Sequence, residues 1–349
     1  MLNWHDTSLT EADIQETLNS MQRTLLVVHP GSLGDVLLAL PAMRALRAAF
    51  PVHALGLLAQ REIGRLLLAG TEVHKSFALE GASLTNILAG TGMMDAEMEQ
   101  WLSVCDVAVG WMTDPDRSLH SALRELRISH ILVATPHSPG YRSAHQTDRF
   151  LETITSIAST SPHSSALQLP HDVMKEAACR LTSMGIVPSR PMVVIHPGSG
   201  SRHKCVTSEL LENLLKGYES NRIVPLVIGG PADVEQVALL QRSCSEPFRL
   251  LQNLDLLSVA GVLTYADCFI GHDSGLTHLA ACLHVPTVAL FGPTDSHRWA
   301  PRGPHVRVVT GASCHCGEWE VIRACADKPC LQIPLEQIRS ACPTMVNVE

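Results

Sequence analysis

Residues 270–295 read IGHDSGLTHLAACLHVPTVALFGPTD. An apolar run ends at Ile270, a Gly-His-Asp-Ser-Gly turn interrupts it, 276–283 has helical spacing, and 285–291 is a second buried strand. Strand, turn, helix and strand in that order make one unit of a parallel sheet, and open α/β sheets bind ligands at such turns. A helix cap needs one side-chain oxygen. Here Asp273, Ser274, Thr277 and His278 fall within one turn, more polar groups than a cap uses. Thr277 and His278 lie in the first helical turn, where the helix dipole favours an anion such as a diphosphate. A hydrolase elbow does not fit, because the serine of GHDSG is displaced from its place in G-x-S-x-G.

Working outward, PMVVIHPGSGSRHK (191–204) repeats the layout of RTLLVVHPGSLGD (23–35), a β-branched strand followed by His-Pro-Gly-Ser. The glycines let backbone N–H groups approach an anion, and Lys204 adds a full charge. The spacing is not that of a Walker loop. By itself the segment reads equally as a Gly-rich turn with a solvated lysine. In GSLGD (31–35), Asp35 stands at a helix start, where the dipole keeps a carboxylate ionised and where a plain cap is the competing reading.

Further strands are expected at 52–59, 105–112, 128–136 and 223–231, separated by helical stretches. Pro41 is expected to kink or interrupt the helix after Asp35. The residues up to about 20 read as a short polar helix, and a helix is expected over 171–184. The Ser/Thr/Pro-rich stretch 155–170 marks a boundary. The expected organisation is α/β, with two Rossmann-like domains, 1–168 and 169–349, facing each other across a cleft.

A chain of 349 residues suits two domains, and 46% hydrophobic residues are enough for full cores. A net charge of −8 argues against a general nucleic-acid binder. The N-terminus shows neither a basic segment nor an apolar one of signal type, and no apolar run has spanning length, so a cytoplasmic protein is expected. The 11 cysteines are then expected to be reduced, with Cys179, Cys244, Cys268 and Cys282 as small core side chains.

HPGSLGDVLLALPAMRALRAAFP, HQTDRFLETI, VVIHPGSGSRHK, LVIGGPADVEQV and GHDSGLTHLAACLHVPTVALFGPTD, in this order, resemble the bacterial heptosyltransferases of glycosyltransferase family 9. The resemblance runs from about residue 24 to 310 and implies a GT-B fold. It also implies an ADP-heptose donor, a lipid-linked acceptor sugar in the lipopolysaccharide inner core, and inverting transfer without metal or other cofactor. By motif position Asp35 resembles the general base and Lys204 the lysine on the donor phosphate. Ser199 and Gly200 lie where the phosphate loop approaches the donor, Asp273 resembles the aspartate on the donor sugar, and Gly275, Thr277 and His278, with Ser274 beside them, lie where the helix start meets the diphosphate. Asp233 or Glu235 is implied for the ribose. The chain departs from the family pattern after Lys204, where Cys-Val-Thr stands in place of an aromatic residue and a proline.

An acceptor of this kind implies peripheral contact with the inner face of the cytoplasmic membrane. Arg44, Arg47, Arg61 and Arg65 could meet anionic lipid sugars there, or form a solvated helix face. The competing functions are a nucleotide-sugar epimerase or hydrolase of the same build, and a nucleotide-sugar-binding protein without turnover. Retention of Asp35 weighs against the last. In the tail, Cys314, Cys316, Cys325 and Cys330 admit a four-thiolate metal site, but the Cys-x-Cys spacing is tighter than in zinc knuckles and favours a reduced cluster without metal.

Overall fold

All strand pairs in the computed structural model are parallel, in two sheets. The structure describes residues 23–80, 85, 87, 95–135, 144–159, 166–187, 190–220, 222–314, 316 and 318–342. The first sheet comprises β1 (Arg23–Val28), β2 (His53–Ala59), β3 (Lys75–Ala78), β4 (Cys105–Gly110) and β5 (His130–Val133), in the order β3-β2-β1-β4-β5. The second comprises β6 (Met192–His196), β7 (Val224–Gly229), β8 (Arg249–Gln252), β9 (Cys268–His272), β10 (Thr287–Phe291) and β11 (Val306–Thr310), in the order β11-β10-β9-β6-β7-β8. Each sheet therefore grows outward from its first strand and then reverses. The reversal falls between β1 and β4 in the first sheet and between β6 and β9 in the second. A crevice for ligand opens at that point beyond the carboxyl ends of the strands.

Sequence explains the centre of each sheet. RTLLVV, MVVIH and TVALF are almost continuous apolar runs, as strands covered by helices on both faces require. The expected strands are all present. β3, β8 and β11 were not anticipated; all three lie at sheet edges, and their half-exposed residues carry a weaker apolar pattern.

Of the kink or interruption expected at Pro41, the interruption is absent: one helix runs from Leu33 to Ala49. Its whole middle is buried, so packing on several sides holds the turn that lacks one backbone donor. The helix His171–Ser183 matches its expected position and packs on the helix Leu256–Leu263 of the second half. Cys268 and Cys282 are buried and Cys244 is half-buried. Cys179 is exposed, because Ala177 and Leu181 form the inward stripe of its helix and position 179 falls between them. The polar helix expected up to residue 20 and positions 160–165 of the expected boundary lie outside the described residues.

The halves meet through helix starts. The Leu33–Ala49 helix packs against the helix Gly275–Cys282, and apolar contact is continuous between the two sheets. Polar ties flank this seam: Arg302 grips both carboxylate oxygens of Asp148 at 2.6 Å, and the His145 ring nitrogen Nε2 meets the Ala300 carbonyl at 2.8 Å. Among the described residues no helix is long and apolar enough to cross a membrane.

Candidate functional site

β6 and β9 pair so that His196 lies opposite Gly271, and the two strands end at the reversal point of their sheet. Beyond β6 the chain forms Pro197-Gly198-Ser199-Gly200, then a short 3-10 turn, Arg202–Lys204, with the Ser201 hydroxyl accepting from His203 N–H. Beyond β9 come Asp273 and Ser274, and the helix Gly275–Cys282 starts. The two loops are laced together. Lys204 Nζ donates to Asp273 Oδ2 at 2.8 Å, and Ser199 Oγ donates to the Asp273 carbonyl at 2.6 Å. The lysine and aspartate side chains keep only 18% and 12% of their exposure, so the ion pair is partly desolvated and directional.

Ser274 occupies the N-cap position but makes no cap bond. Its hydroxyl instead lies 3.3 Å from His196 Nδ1 and 3.2 Å from the Thr277 hydroxyl, which itself donates to the His272 carbonyl. The first backbone N–H groups of the helix are thus left without a side-chain acceptor, which suits an anion at that end.

Two buried histidines brace the loops from beneath. His272 accepts Val206 N–H on Nε2 at 3.0 Å and meets the Gly198 carbonyl through Nδ1 at 3.2 Å. That pattern requires the neutral ring, and burial pushes it down to about 4. His196 pairs with Asp233 through Nε2 and Oδ2 at 3.0 Å. Burial pushes the Asp233 carboxyl up, but the His196 ring and the Gly230 N–H outweigh it and hold the group below its ordinary value. A Cβ on Gly198 would come within 1.7 Å of Asp233 Oδ1, so the loop needs glycine there; Gly200 faces open space. Asp233 is therefore engaged under the loop. Glu235, 62% exposed and 3.6 Å from Arg202, is the accessible carboxylate of the two.

Across the seam, Asp35 caps its own helix. Its Oδ2 accepts from Ser32 N–H at 3.2 Å and Ser32 Oγ at 2.7 Å, while Oδ1 has no partner among the described residues. The cap and an open oxygen coexist on one carboxylate.

His278 joins the two sides. Burial pushes its ring down to about 4, while the charges of Asp273 and Asp35 pull it up and those of His145 and Lys204 push it down. Its ring edge also faces Gly34, where a Cβ would lie 3.2 Å from Cδ2. Lys204 and Asp273 are thus paired at the start of the Gly275–Cys282 helix, with Ser199, Ser274 and Thr277 beside them, and Asp35 follows Gly34 on the facing helix start, against which His278 packs. His196, His272 and Gly198 were not singled out from the sequence, although each histidine ends a strand just before a Gly- or Ser-containing turn.

The arginines considered for lipid contact are mostly engaged elsewhere. Arg44 is bound to Glu72 and the Ala166 carbonyl, Arg47 to the carbonyls of Thr71 and Glu72, and Arg65 to Glu62. Arg44 and Arg47 tie helix to loop and do not form a free basic face.

The profile of glycosyltransferase family 9 (heptosyltransferase) matches residues 133–323. Lipopolysaccharide heptosyltransferase 3 of Escherichia coli (strain K12) is 23% identical over 288 residues, covering 77% of this chain and 82% of that one. A glycosyl transferase family 9 structure from Veillonella parvula DSM 2008 superposes with TM-score 0.78 at 17% identity, over 93% of this chain and 97% of that one. E. coli heptosyltransferase WaaC, solved with ADP-2-deoxy-2-fluoro heptose, gives TM-score 0.56 at 17% identity, over 83% and 93%. These likenesses show the GT-B fold expected above. With two parallel sheets of this order and a family match over more than half its length, the chain belongs to glycosyltransferase family 9, the heptosyltransferases.

Proposed function

We propose that this enzyme transfers a heptose from ADP-heptose to a sugar of the lipopolysaccharide inner core, with inversion at the anomeric carbon. The observation that carries the reading is the packing of the Leu33–Ala49 helix start, which bears Asp35, against the start of the Gly275–Cys282 helix, where Lys204 and Asp273 are paired. The half up to residue 168 presents the acceptor, and the half from 169 holds the donor. The nucleotide diphosphate takes the uncapped start of the Gly275–Cys282 helix and the Ser199–Gly200 loop, with Lys204 as its counter-charge. Asp273 addresses the donor sugar, and Glu235 offers the accessible carboxylate for the ribose.

Asp35 Oδ1 receives the acceptor proton. An ionised aspartate is a weak base, so the proton moves late, once bond formation has made the hydroxyl acidic. The departing ADP is a good leaving group and needs only charge stabilisation from Lys204 and the helix start. Residues of this chain supply every step, with no metal or other cofactor. An acceptor on a lipid sets the enzyme in the cytoplasm, against the inner membrane face.

Incubation with ADP-heptose, with and without a truncated lipid acceptor, followed by mass spectrometry, tests the reading. A heptosylated acceptor, and little ADP without it, is the expected result. ADP released equally in both reactions makes the protein a nucleotide-sugar hydrolase.

A further inference from the structure

His145, Gln146 and Asp148 each reach across the seam to one short segment of the other half. His145 Nδ1 accepts the Thr147 N–H at 3.2 Å, which leaves the proton of the neutral ring on Nε2. That N–H donates to the Ala300 carbonyl at 2.8 Å, and burial lowers the ring, which favours its neutral form. Gln146 is fully buried, with Oε1 3.4 Å from both Nε and Nη2 of Arg298. Asp148 takes Nη1 and Nη2 of Arg302 at 2.6 Å each, and these bonds hold its carboxyl below its ordinary value. Arg298, Ala300 and Arg302 all follow β10, the neighbour of the strand β9 that leads into Asp273.

The same segment opens the Gln146–Thr153 helix, which packs against the Leu33–Ala49 helix. Phe150, one turn beyond Gln146 and fully buried, has its ring centroid 5.4 Å from that of His29 and 5.2 Å from that of Trp111. Thr153 Oγ1 accepts from Trp111 Nε1–H at 2.9 Å. His29 and Trp111 follow the ends of β1 and β4, the reversal point of the first sheet. His29 Nδ1 in turn accepts the Gly31 N–H at 3.1 Å. A Cβ on Gly31 would come within 2.6 Å of the His29 ring and 2.9 Å of Asp35 Cβ, so ring, loop and carboxylate residue are in close contact.

We propose that Asp148 and Arg302 are positioning residues: their ion pair locks the start of the Gln146–Thr153 helix onto the donor half and, through Phe150 and Thr153, holds the His29–Ser32 loop that aims Asp35. Both side chains are about half exposed, at 51% and 52%, and an ion pair so wetted adds little to folding stability. Its bidentate geometry still fixes distance and angle together, so the pair orients more than it stabilises. The helix has two turns and is held at both ends. A shift at Asp148 therefore moves Phe150 and Thr153 as one body, and packed aromatic rings pass that shift on to the loop. The effect on turnover rests on the role given above to Asp35; the effect on the loop does not.

The test is a double-mutant cycle on the full-length protein, with Asp148→Ala, Arg302→Ala and the two combined. Hydrogen exchange followed by mass spectrometry reads residues 29–35 without any substrate, and melting temperatures are recorded beside it. Each single variant should exchange several-fold faster over 29–35 with little change in melting temperature, and the double variant should be no worse than either, since one interaction is lost only once. With ADP-heptose and the truncated acceptor, kcat should fall several-fold in all three, while KM for ADP-heptose and ADP affinity stay as in the native protein. Exchange over 29–35 unchanged in the single variants, or additive in the double, overturns the coupling. Faster exchange spread over the whole chain with a lowered melting temperature overturns it as well, because a general loosening is then the cause. Faster loop exchange with kcat unchanged overturns the positioning role. No transfer by the native protein overturns the heptosyl-transfer reading, and the exchange result then stands apart from it.

Discussion

Gly34 and Gly275 stand against each other at the seam between the two halves: a Cβ on Gly34 would sit 3.7 Å from the Gly275 Cα. On the other side, a Cβ on Gly275 would come within 2.8 Å of Leu33 Cβ. The helices bring their first turns this close because Gly34 and Gly275 carry no side chain, which leaves the crossing to the Leu33 side chain and the His278 ring. The same approach sets the distance between Asp35 and the Lys204–Asp273 pair.

Gly275→Ala should therefore force the helix starts apart. The expected loss is about 1–3 kcal/mol of stability, the usual range for overpacking, together with reduced turnover. Gly200→Ala, which meets nothing within 4 Å, should leave the melting temperature unchanged. Equal melting temperatures for both variants would show that the seam yields without cost.

Lys204→Ala should weaken ADP binding by about 1.5–3 kcal/mol, the value of one charge-assisted contact. The measured loss also includes the effect of leaving Asp273, 12% exposed, without its cation. Lys204→Ala with Asp273→Asn separates the two contributions by calorimetry. Unchanged ADP affinity in the single variant removes the lysine from the donor site.

Asp35→Asn should lower turnover roughly 10²–10⁴-fold, with donor affinity almost unchanged. The amide oxygen can still accept from Ser32, so the helix keeps its cap and the fold its stability. A variant with most of its activity would reduce Asp35 to a cap. The melting curve, recorded beside the rate, shows whether lost activity is lost chemistry.

His272 and His278 are both lowered from 6.5 to about 4, burial being the largest cause. The unfolded chain then binds protons at pH values where the native chain does not. Stability should be complete above about pH 6.5 and fall progressively as the pH drops toward 4. His145, lowered by burial as well, adds to the same slope. Melting temperatures measured over this interval should decline, and His272→Gln should flatten the decline. A flat profile would mean that these rings are protonated at little cost.

Much of the sheet architecture was legible because central parallel strands must be apolar along their whole length, as in MVVIH and TVALF. The edges β3, β8 and β11 were not legible, since one side of each is half solvated and pattern alone does not mark them. Pro41 does not interrupt its helix for a related reason: its effect on an isolated helix is large, but burial along 36–43 outweighs one missing donor. In the site, the polar residues of the two turns could be picked out because each turn holds more of them than capping uses. Their division of labour could not. Whether Asp233 or Glu235 presents an accessible carboxylate depends on where His196 lies, 37 residues away in sequence.

The cap on Asp35 has a kinetic meaning. A free carboxylate is a rotor, and an acceptor hydroxyl that had to catch one oxygen at the right angle would arrest that rotation in every catalytic cycle. With Oδ2 held by Ser32 the rotor is stopped when the helix forms, and Oδ1 waits in one orientation. In the proposed reaction the entropy of aiming the base is lost once, at folding, and not again with each sugar transferred.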